Sequence, residues 1–280
     1  MTIPLPSSTP DVVARAYAED LANIGDLTTL ATIPEGHRSR AEFVARSSGC
    51  MAGIPLIELC LEYIDPEIVC RPMAQDGELV QAGTVILEAS GATRSLLSAE
   101  RVALNFLGRL SGIATATRAF VDIVAGTGAA ISDTRKTTPG LRLVEKQAVL
   151  HGGGFNHRFG LSDAILIKDN HIAAAGGISA VLNRAKSVAS HMVRIEIEVD
   201  NLEQLDEVLA ENIADVVLLD NMDTETLKRA VKMVNWALIT EASGNMRLER
   251  IAEVASTGVE YISSGALTHS AQTLDLGLDF

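Results

Sequence analysis

The sequence predicts an α/β fold, with a parallel sheet in the second half and a smaller domain ahead of it. Three observations carry this reading. Short β-rich apolar runs alternate with helix-period segments after about residue 129. Each of those runs ends in a polar or charged residue. The first half has no such rhythm. A chain of 280 residues has room for one large domain or two modest ones, and 47% hydrophobic with 21% charged residues is a globular composition.

In chain order, residues 10–25 and 38–53 read as helices, and GELVQAGTVILEASG (77–91) reads as a hairpin of the kind found in small β-sandwich modules. That hairpin lacks a turn lysine suited to biotin or lipoate, so it reads as scaffold. A long helix is expected over about 98–125. A domain boundary is placed inside it, giving an α+β, sandwich-like first domain (1–112) and an α/β second domain (113–280). The extreme C-terminus is left free to return to the first domain.

The strands of the second domain are AAISDT (129–134), AILIKDN (164–170), RIEIEVD (194–200), DVVLLDN (215–221), WALITEASG (236–244) and VEYISSGAL (259–267). The segments between several of them keep apolar residues at i, i+3, i+4 spacing. Leu202, Leu205, Val208 and Leu209 form one set; Leu227, Ala230, Val231 and Val234 form another. Repeated βα units of this size mean a parallel sheet, open or closed into a barrel. In either form the C-terminal strand ends line one site. Asp133 to Lys136, Lys168, Glu198, Asp220, Glu241 and Ser264 are therefore expected to converge.

Composition narrows the ligand. Lys and Arg total 23 against 36 Asp and Glu, a formal net charge of −13. Such a chain is a poor nucleic-acid binder, and a local basic cluster in it suits a small anion. Cys50, Cys60 and Cys70 show no C-x-x-C pattern, which argues against a disulfide framework or a zinc site. The start lacks a basic, then apolar leader, and no 18-residue apolar run is free of charge or glycine. A cytoplasmic protein without membrane contact is expected.

The basic cluster is DTRKTTPGLRLVEKQAVLHGGGFNHRFGLSDAILIKDNH (133–171). Arg135, Lys136, Arg142, Lys146, Arg158 and Lys168 face Asp133, Glu145, Asp163 and Asp169, six cations against four anions, with His151, His157 and His171 besides. Arginine offers a planar fork for carboxylate or phosphate, and lysine a mobile charge. Gly152 to Gly154 would let backbone approach a ligand. An HGGG string can also be a hydrolase oxyanion loop, but no G-x-S-x-G accompanies it. Glu198 and Asp220 suit Mg²⁺, directly or through water, or equally sugar hydroxyls. The segments Ser243-Gly244-Asn245 and Ser264-Gly265-Ala266 end the last two strands, where small residues with exposed N–H groups make a phosphate cradle.

DTRKTTPGLR, GGGFNHR and LIKDNH closely resemble the quinolinate phosphoribosyltransferases, also called nicotinate-nucleotide pyrophosphorylases (carboxylating). LLSAERVALNFLGRLSGIAT, IEIEVDNLEQLD, VVLLDN, EASGN and SGALTHS follow the family in order. The resemblance covers about residues 10–280. It implies a seven-stranded, TIM-like α/β barrel behind an N-terminal sandwich-like domain, one strand more than counted above. It implies a homodimer or an assembly of dimers. The reaction it implies joins quinolinate to phosphoribosyl pyrophosphate, giving nicotinate mononucleotide, pyrophosphate and CO₂ with Mg²⁺, at the de novo entry to NAD.

On this resemblance Arg101 reaches the neighbouring subunit's quinolinate. Arg135, His157 and Arg158, with Thr134 beside them, surround the two quinolinate carboxylates. Lys136 and Lys168 lie near the substrate carboxylate and the phosphates. Glu198 and Asp220 hold ribose hydroxyls and metal, and are catalytic together with the two lysines. Ser243 to Asn245 and Ser264 to Ala266 bind the 5′-phosphate. Ring nitrogen would attack C1 of the ribose as pyrophosphate leaves, through an oxocarbenium-like transition state, with decarboxylation afterwards. Three other functions are set beside this one: a related transferase taking another carboxylate acceptor such as nicotinate, a Schiff-base aldolase using Lys168, and a non-catalytic binder of a phosphorylated metabolite.

Overall fold

The computed structural model describes residues 4–280. Along the chain the elements are α1 (Thr9–Leu21), α2 (Leu27–Thr32), β1 (Arg38–Ala45), β2 (Gly49–Cys50), α3 (Ile54–Ile64), β3 (Val69–Pro72), β4 (Leu79–Val80), β5 (Val85–Ala92) and the long α4 (Thr93–Val124). Then come β6 (Ala130–Ser132), α5 (Arg142–His151), β7 (Ile165–Ile167), α6 (Asp169–Ala175), α7 (Ile178–Val188), β8 (Ile195–Val199), α8 (Leu202–Glu211), β9 (Val216–Asp220) and α9 (Thr224–Val234). The last are β10 (Ile239–Ser243), α10 (Leu248–Ala255), β11 (Tyr261–Ser263), α11 (Ala266–His269) and β12 (Leu276–Asp279).

Two compact units result. The first takes the chain up to Arg118, with Thr137–Gly153 and Leu267–Phe280; the second takes Ala119–Lys136 and Gly154–Ala266. The first unit holds an antiparallel sheet in the order β12-β1-β5-β3 and a separate β2–β4 pair. Phe43, Met51, Leu56, Leu61, Ile86 and Leu107 are among its fully buried side chains.

Two sequence expectations fail in this unit. Residues 38–53 are not a helix. Ala41, Phe43 and Ala45 alternate onto one buried face of β1, which is paired on both edges. Tertiary pairing overrides the helical propensity of an Arg-, Ala- and Glu-rich run. Residues 77–91 are not a hairpin either: β4 pairs with β2, and β5 pairs with β1 and β3.

The second unit is a parallel sheet in the order β6-β11-β10-β9-β8-β7, so all six expected strands form. A seventh position is one residue wide. Phe155 bridges Ser132 in parallel, donating its N–H to the carbonyl of Ile131 at 2.8 Å and accepting the N–H of Asp133 at 3.0 Å. The covering helices start and stop as their sequences direct. Asn201 and Asp223 cap α8 and α9 by accepting the N–H of Gln204 and Thr226. Asn212 and Asn235 end those helices in the left-handed conformation. Their inner faces bury Leu205 and Val208, and Leu227, Ala230 and Val234.

Gly152 has a packing role. A Cβ there would lie 2.6 Å from the carbonyl oxygen of Ala114 and 2.6 Å from Cβ of Thr117, both on α4. Its place in the glycine triplet is therefore set by a helix contact. Among the described residues no helix is long and apolar enough to cross a membrane. All three cysteines are free thiols.

Candidate active site

Because the six strands are parallel, their C-terminal ends share one edge of the sheet. Thr134, Arg135 and Lys136 follow β6, with the Lys136 N–H donating to the Thr134 hydroxyl at 3.0 Å. His157 and Arg158 lie in the segment that leads to β7. Lys168 follows β7, Glu198 is in β8, and Asp220 and Ser243 close β9 and β10. Gly244-Asn245 and Ser264-Gly265 come directly after β10 and β11, and Ala266 begins α11.

Several of these side chains meet. Lys168 donates to Glu198 across neighbouring strands. Burial holds the Asp220 carboxyl above its usual range, opposed by the charges of Lys168 and Lys136 and reinforced by Asp200. Asp220 also accepts from the Asn221 amide at 2.5 Å. The two small-residue loops are tied together where the Ser264 hydroxyl donates to the carbonyl of Met246 at 2.9 Å.

Arg135 and Arg158 form the cationic side of the site. Burial, and then the neighbouring Arg135 charge, lower the Arg158 pKa from its ordinary value. One Arg158 amino group donates to the carbonyl of Ala164 at 3.0 Å. The Nε atoms of both arginines are buried without a hydrogen-bond partner. Buried donors without acceptors are costly, so two adjacent guanidinium groups left this way mark a place for an anion with more than one acceptor.

With His157, and with Asp133 and Glu241 from the expected strand ends, the structure brings in one residue that the sequence reading did not mark, Glu196. Asp133 accepts the backbone N–H of His157 at 2.8 Å and the Asn156 amide at 2.7 Å, fixing the loop. His157 Nε2 lies 3.0 Å from Oε2 of Glu196 and 3.6 Å from Oε1 of Glu241. His157, Glu196 and Glu241 offer atoms that all lie within 4.8 Å of one another, as metal ligands would. However, the backbone N–H of Arg158 donates to Nδ1 of His157 at 2.8 Å. The proton of the neutral ring is therefore on Nε2, which is no ligand in that form. The signal for this floor was in IEIEVD. Strands of a covered parallel sheet are ordinarily apolar, so the alternating acids Glu196 and Glu198 mark an inward-facing stripe.

Arg101 lies on α4 in the first unit, exposed, with Glu100 at 3.9 Å.

Comparisons with known proteins place the chain in a family. The models of the quinolinate phosphoribosyl transferase N-terminal and C-terminal domains match residues 26–111 and 113–279. The chain is 45% identical to the probable nicotinate-nucleotide pyrophosphorylase [carboxylating] of Bacillus subtilis, over 94% of this chain and 90% of that protein. It is 44% identical to the chloroplastic nicotinate-nucleotide pyrophosphorylase [carboxylating] of Arabidopsis thaliana, over 95% of this chain and 81% of that one. The structure of the nicotinate-nucleotide pyrophosphorylase from Francisella tularensis superposes with a TM-score of 0.94 at 38% identity, covering 99% of this chain and 97% of that chain. The chain belongs to the quinolinate phosphoribosyltransferase family.

Proposed function

We propose that this chain transfers a phosphoribosyl group from phosphoribosyl pyrophosphate to quinolinate, releasing pyrophosphate and CO₂ and forming nicotinate mononucleotide for NAD biosynthesis. The observation that carries the reading is the Arg135–Arg158 pair, adjacent, part-buried and with both Nε donors unpartnered. A vicinal dicarboxylate supplies acceptors for both forks. A monocarboxylate such as nicotinate leaves one of them without a partner. Charge-assisted hydrogen bonds contribute about 1.5–3 kcal/mol each, so two or three orient the ring firmly.

With the ring held, its nitrogen attacks C1 of the ribose as pyrophosphate departs, and positive character builds at C1 and the ring oxygen. Glu198 and Asp220, at the ends of neighbouring strands, face that character and accept from ribose hydroxyls. Lys136 and Lys168 balance the departing phosphates. Backbone N–H groups of 243–245 and 264–266 take the 5′-phosphate. His157 and Thr134 stand beside the arginines on the quinolinate side. The bond from C2 to its carboxylate then breaks and CO₂ leaves; the electron pair left at C2 is stabilised by the cationic ring nitrogen and takes up a proton from water, the nitrogen staying quaternary in the product, with no covalent enzyme intermediate. Lys168 is engaged by the Glu198 carboxylate and not by an apolar pocket, which does not suit a Schiff-base nucleophile.

Mg²⁺ is part of the same proposal. Two part-buried carboxylates, Glu198 and Asp220, are hard oxygen donors of the kind this ion takes, and they would hold it directly or through water. When bound it neutralises the pyrophosphate leaving group. A homodimer in which Arg101 serves the neighbouring subunit's site completes the reading.

The test is a product assay with Mg²⁺ and phosphoribosyl pyrophosphate, run with quinolinate and in parallel with nicotinate. Nicotinate mononucleotide from quinolinate alone, with one CO₂ per product and loss of turnover in EDTA, is the expected result. Product from nicotinate, or turnover unaffected by EDTA, contradicts the acceptor or the metal respectively.

A further inference from the structure

Glu241, at the centre of β10, is a carboxylic acid only 5% exposed, and the described groups that chiefly set its protonation include no arginine or lysine. What faces it is Glu196 from β8, His157 from the loop before β7, Asp133 beyond β6 and the Ser263 hydroxyl on β11. Oε1 of Glu241 and Oε1 of Glu196 are both buried without a hydrogen-bond partner. Three acids and one imidazole thus share a buried floor.

The geometry decides where the protons are. Nδ1 of His157 accepts the Arg158 backbone N–H, and an amide N–H cannot act as an acceptor. A doubly protonated imidazolium would set two donors against each other there. His157 is therefore neutral, and its Nε2 proton goes to Glu196 at 3.0 Å. A further proton in the group then has Glu241 as its place. Burial, and then the Glu196 charge, push the Glu241 carboxyl up to about 7, against the opposing pull of His157 and the Ser263 hydroxyl.

We propose that Glu241 works as a neutral acid and is a positioning residue for the dicarboxylate substrate. It acts through its neighbours in two ways. While Glu241 is uncharged, one carboxylate fewer faces the His157 ring, and its Nδ1 goes on accepting the backbone N–H of Arg158. The floor also then carries no extra negative charge to cancel the Arg135–Arg158 pair above it. Ionisation of Glu241 adds that charge beside Glu196 and Asp133, and quinolinate, itself a dianion, binds less well. The substrate named here rests on the proposed function; the protonation state does not.

The test compares wild type with Glu241→Gln, an isostere that is neutral at every pH. In wild type the KM for quinolinate rises about tenfold between pH 6 and pH 8, as one group near 7 loses its proton. In Glu241→Gln the same ratio is close to one, and the KM for phosphoribosyl pyrophosphate shows no such limb in either protein. A purely structural role would shift the variant equally at both pH values. A second reading needs no substrate. The folded protein holds the Glu241 proton between the ordinary carboxyl range and about 7, so unfolding becomes easier as pH rises across that window. The Tm of wild type therefore falls relative to Glu241→Gln from pH 5 to pH 8. Parallel pH profiles for the two proteins in both measurements overturn the proposal. A wild type that does not turn over quinolinate overturns the substrate reading, while the Tm comparison still decides the state of Glu241.

Discussion

Gly244 and Asn221 approach so closely that a Cβ on the glycine would lie 2.3 Å from Oδ1 of Asn221 and 2.7 Å from its backbone nitrogen. Gly244 also has φ +94°, a conformation that side-chain-bearing residues rarely adopt. The Asn221 N–H donates to the carbonyl of Ser243 at 3.0 Å, so the ends of β9 and β10 are laced at this turn. Gly244→Ala must move one of them. A loss of about 1–3 kcal/mol in urea unfolding is expected, with a raised KM for phosphoribosyl pyrophosphate because the phosphate loop shifts. Unchanged values of both would mean that the turn is not part of the phosphate site.

Lys168 and Glu198 give a different pattern, in which activity and stability separate. The Lys168 side chain is 46% exposed, and pairs that open to water contribute only about 0–1 kcal/mol to folding. Lys168→Ala should therefore unfold at nearly the same urea concentration as wild type. Its kcat/KM should fall by about tenfold to a hundredfold, the equivalent of one charge-assisted contact of about 1.5–3 kcal/mol. Rapid turnover by the alanine variant would remove Lys168 from the catalytic set.

Glu145 carries the opposite signature. Its side chain is fully buried and accepts from Arg109 at 2.9 and 3.1 Å, from the Thr138 N–H at 3.0 Å and from the Thr138 hydroxyl at 2.7 Å. Arg109 in turn donates to the carbonyl oxygens of Ala271 and Thr268. Glu145→Ala strands a part-buried guanidinium and should cost about 3–5 kcal/mol. Equilibrium unfolding in urea measures this, and a loss below about 1 kcal/mol would show that water replaces the carboxylate freely.

The proposed contribution of Arg101 across a dimer can be read by mixing. Arg101→Ala and Arg158→Ala should each have little activity with quinolinate. Subunits of the two, unfolded and refolded together, would make half of their dimers mixed, each with one intact site. About a quarter of wild-type activity should then return, from the symmetry of a two-fold dimer. No gain on mixing would mean that Arg101 serves its own subunit or none.

The second unit was largely legible in the sequence because parallel strands and amphipathic helices each impose a period. The run of Val216 to Leu219 and the spacing of Leu227, Ala230 and Val234 admit few other folds. The first unit was less so. β1 owes its conformation to β5 and β12, and nothing near Arg38–Ala45 announces partners that lie far along the chain. Ala41, Phe43 and Ala45 do alternate, but Arg38, Arg40 and Glu42 beside them imitate a helix surface. In the site, strand ends marked Lys168, Glu198 and Asp220. Strand ends also marked Glu241, but Glu196 lies two residues before its strand-end partner Glu198, where charge is expensive and a local reading expects apolar residues. That both carboxylates meet His157 depends on how the Arg158 backbone N–H orients the ring, and only three-dimensional placement shows that.

The pairing of β12 with β1 has a bearing on how the molecule is made. The Arg46–Asp279 ion pair joins residues 233 positions apart, and it flanks a ladder in which Phe43 faces Leu278. During translation β1 emerges ahead of the whole second unit and waits, with one edge bare, for a strand that follows that unit. Such distant pairings are slow to form, and a bare edge invites other chains meanwhile. The second unit's six strands are thus made before the first unit's sheet can close, so a sheet begun ahead of them is completed after them.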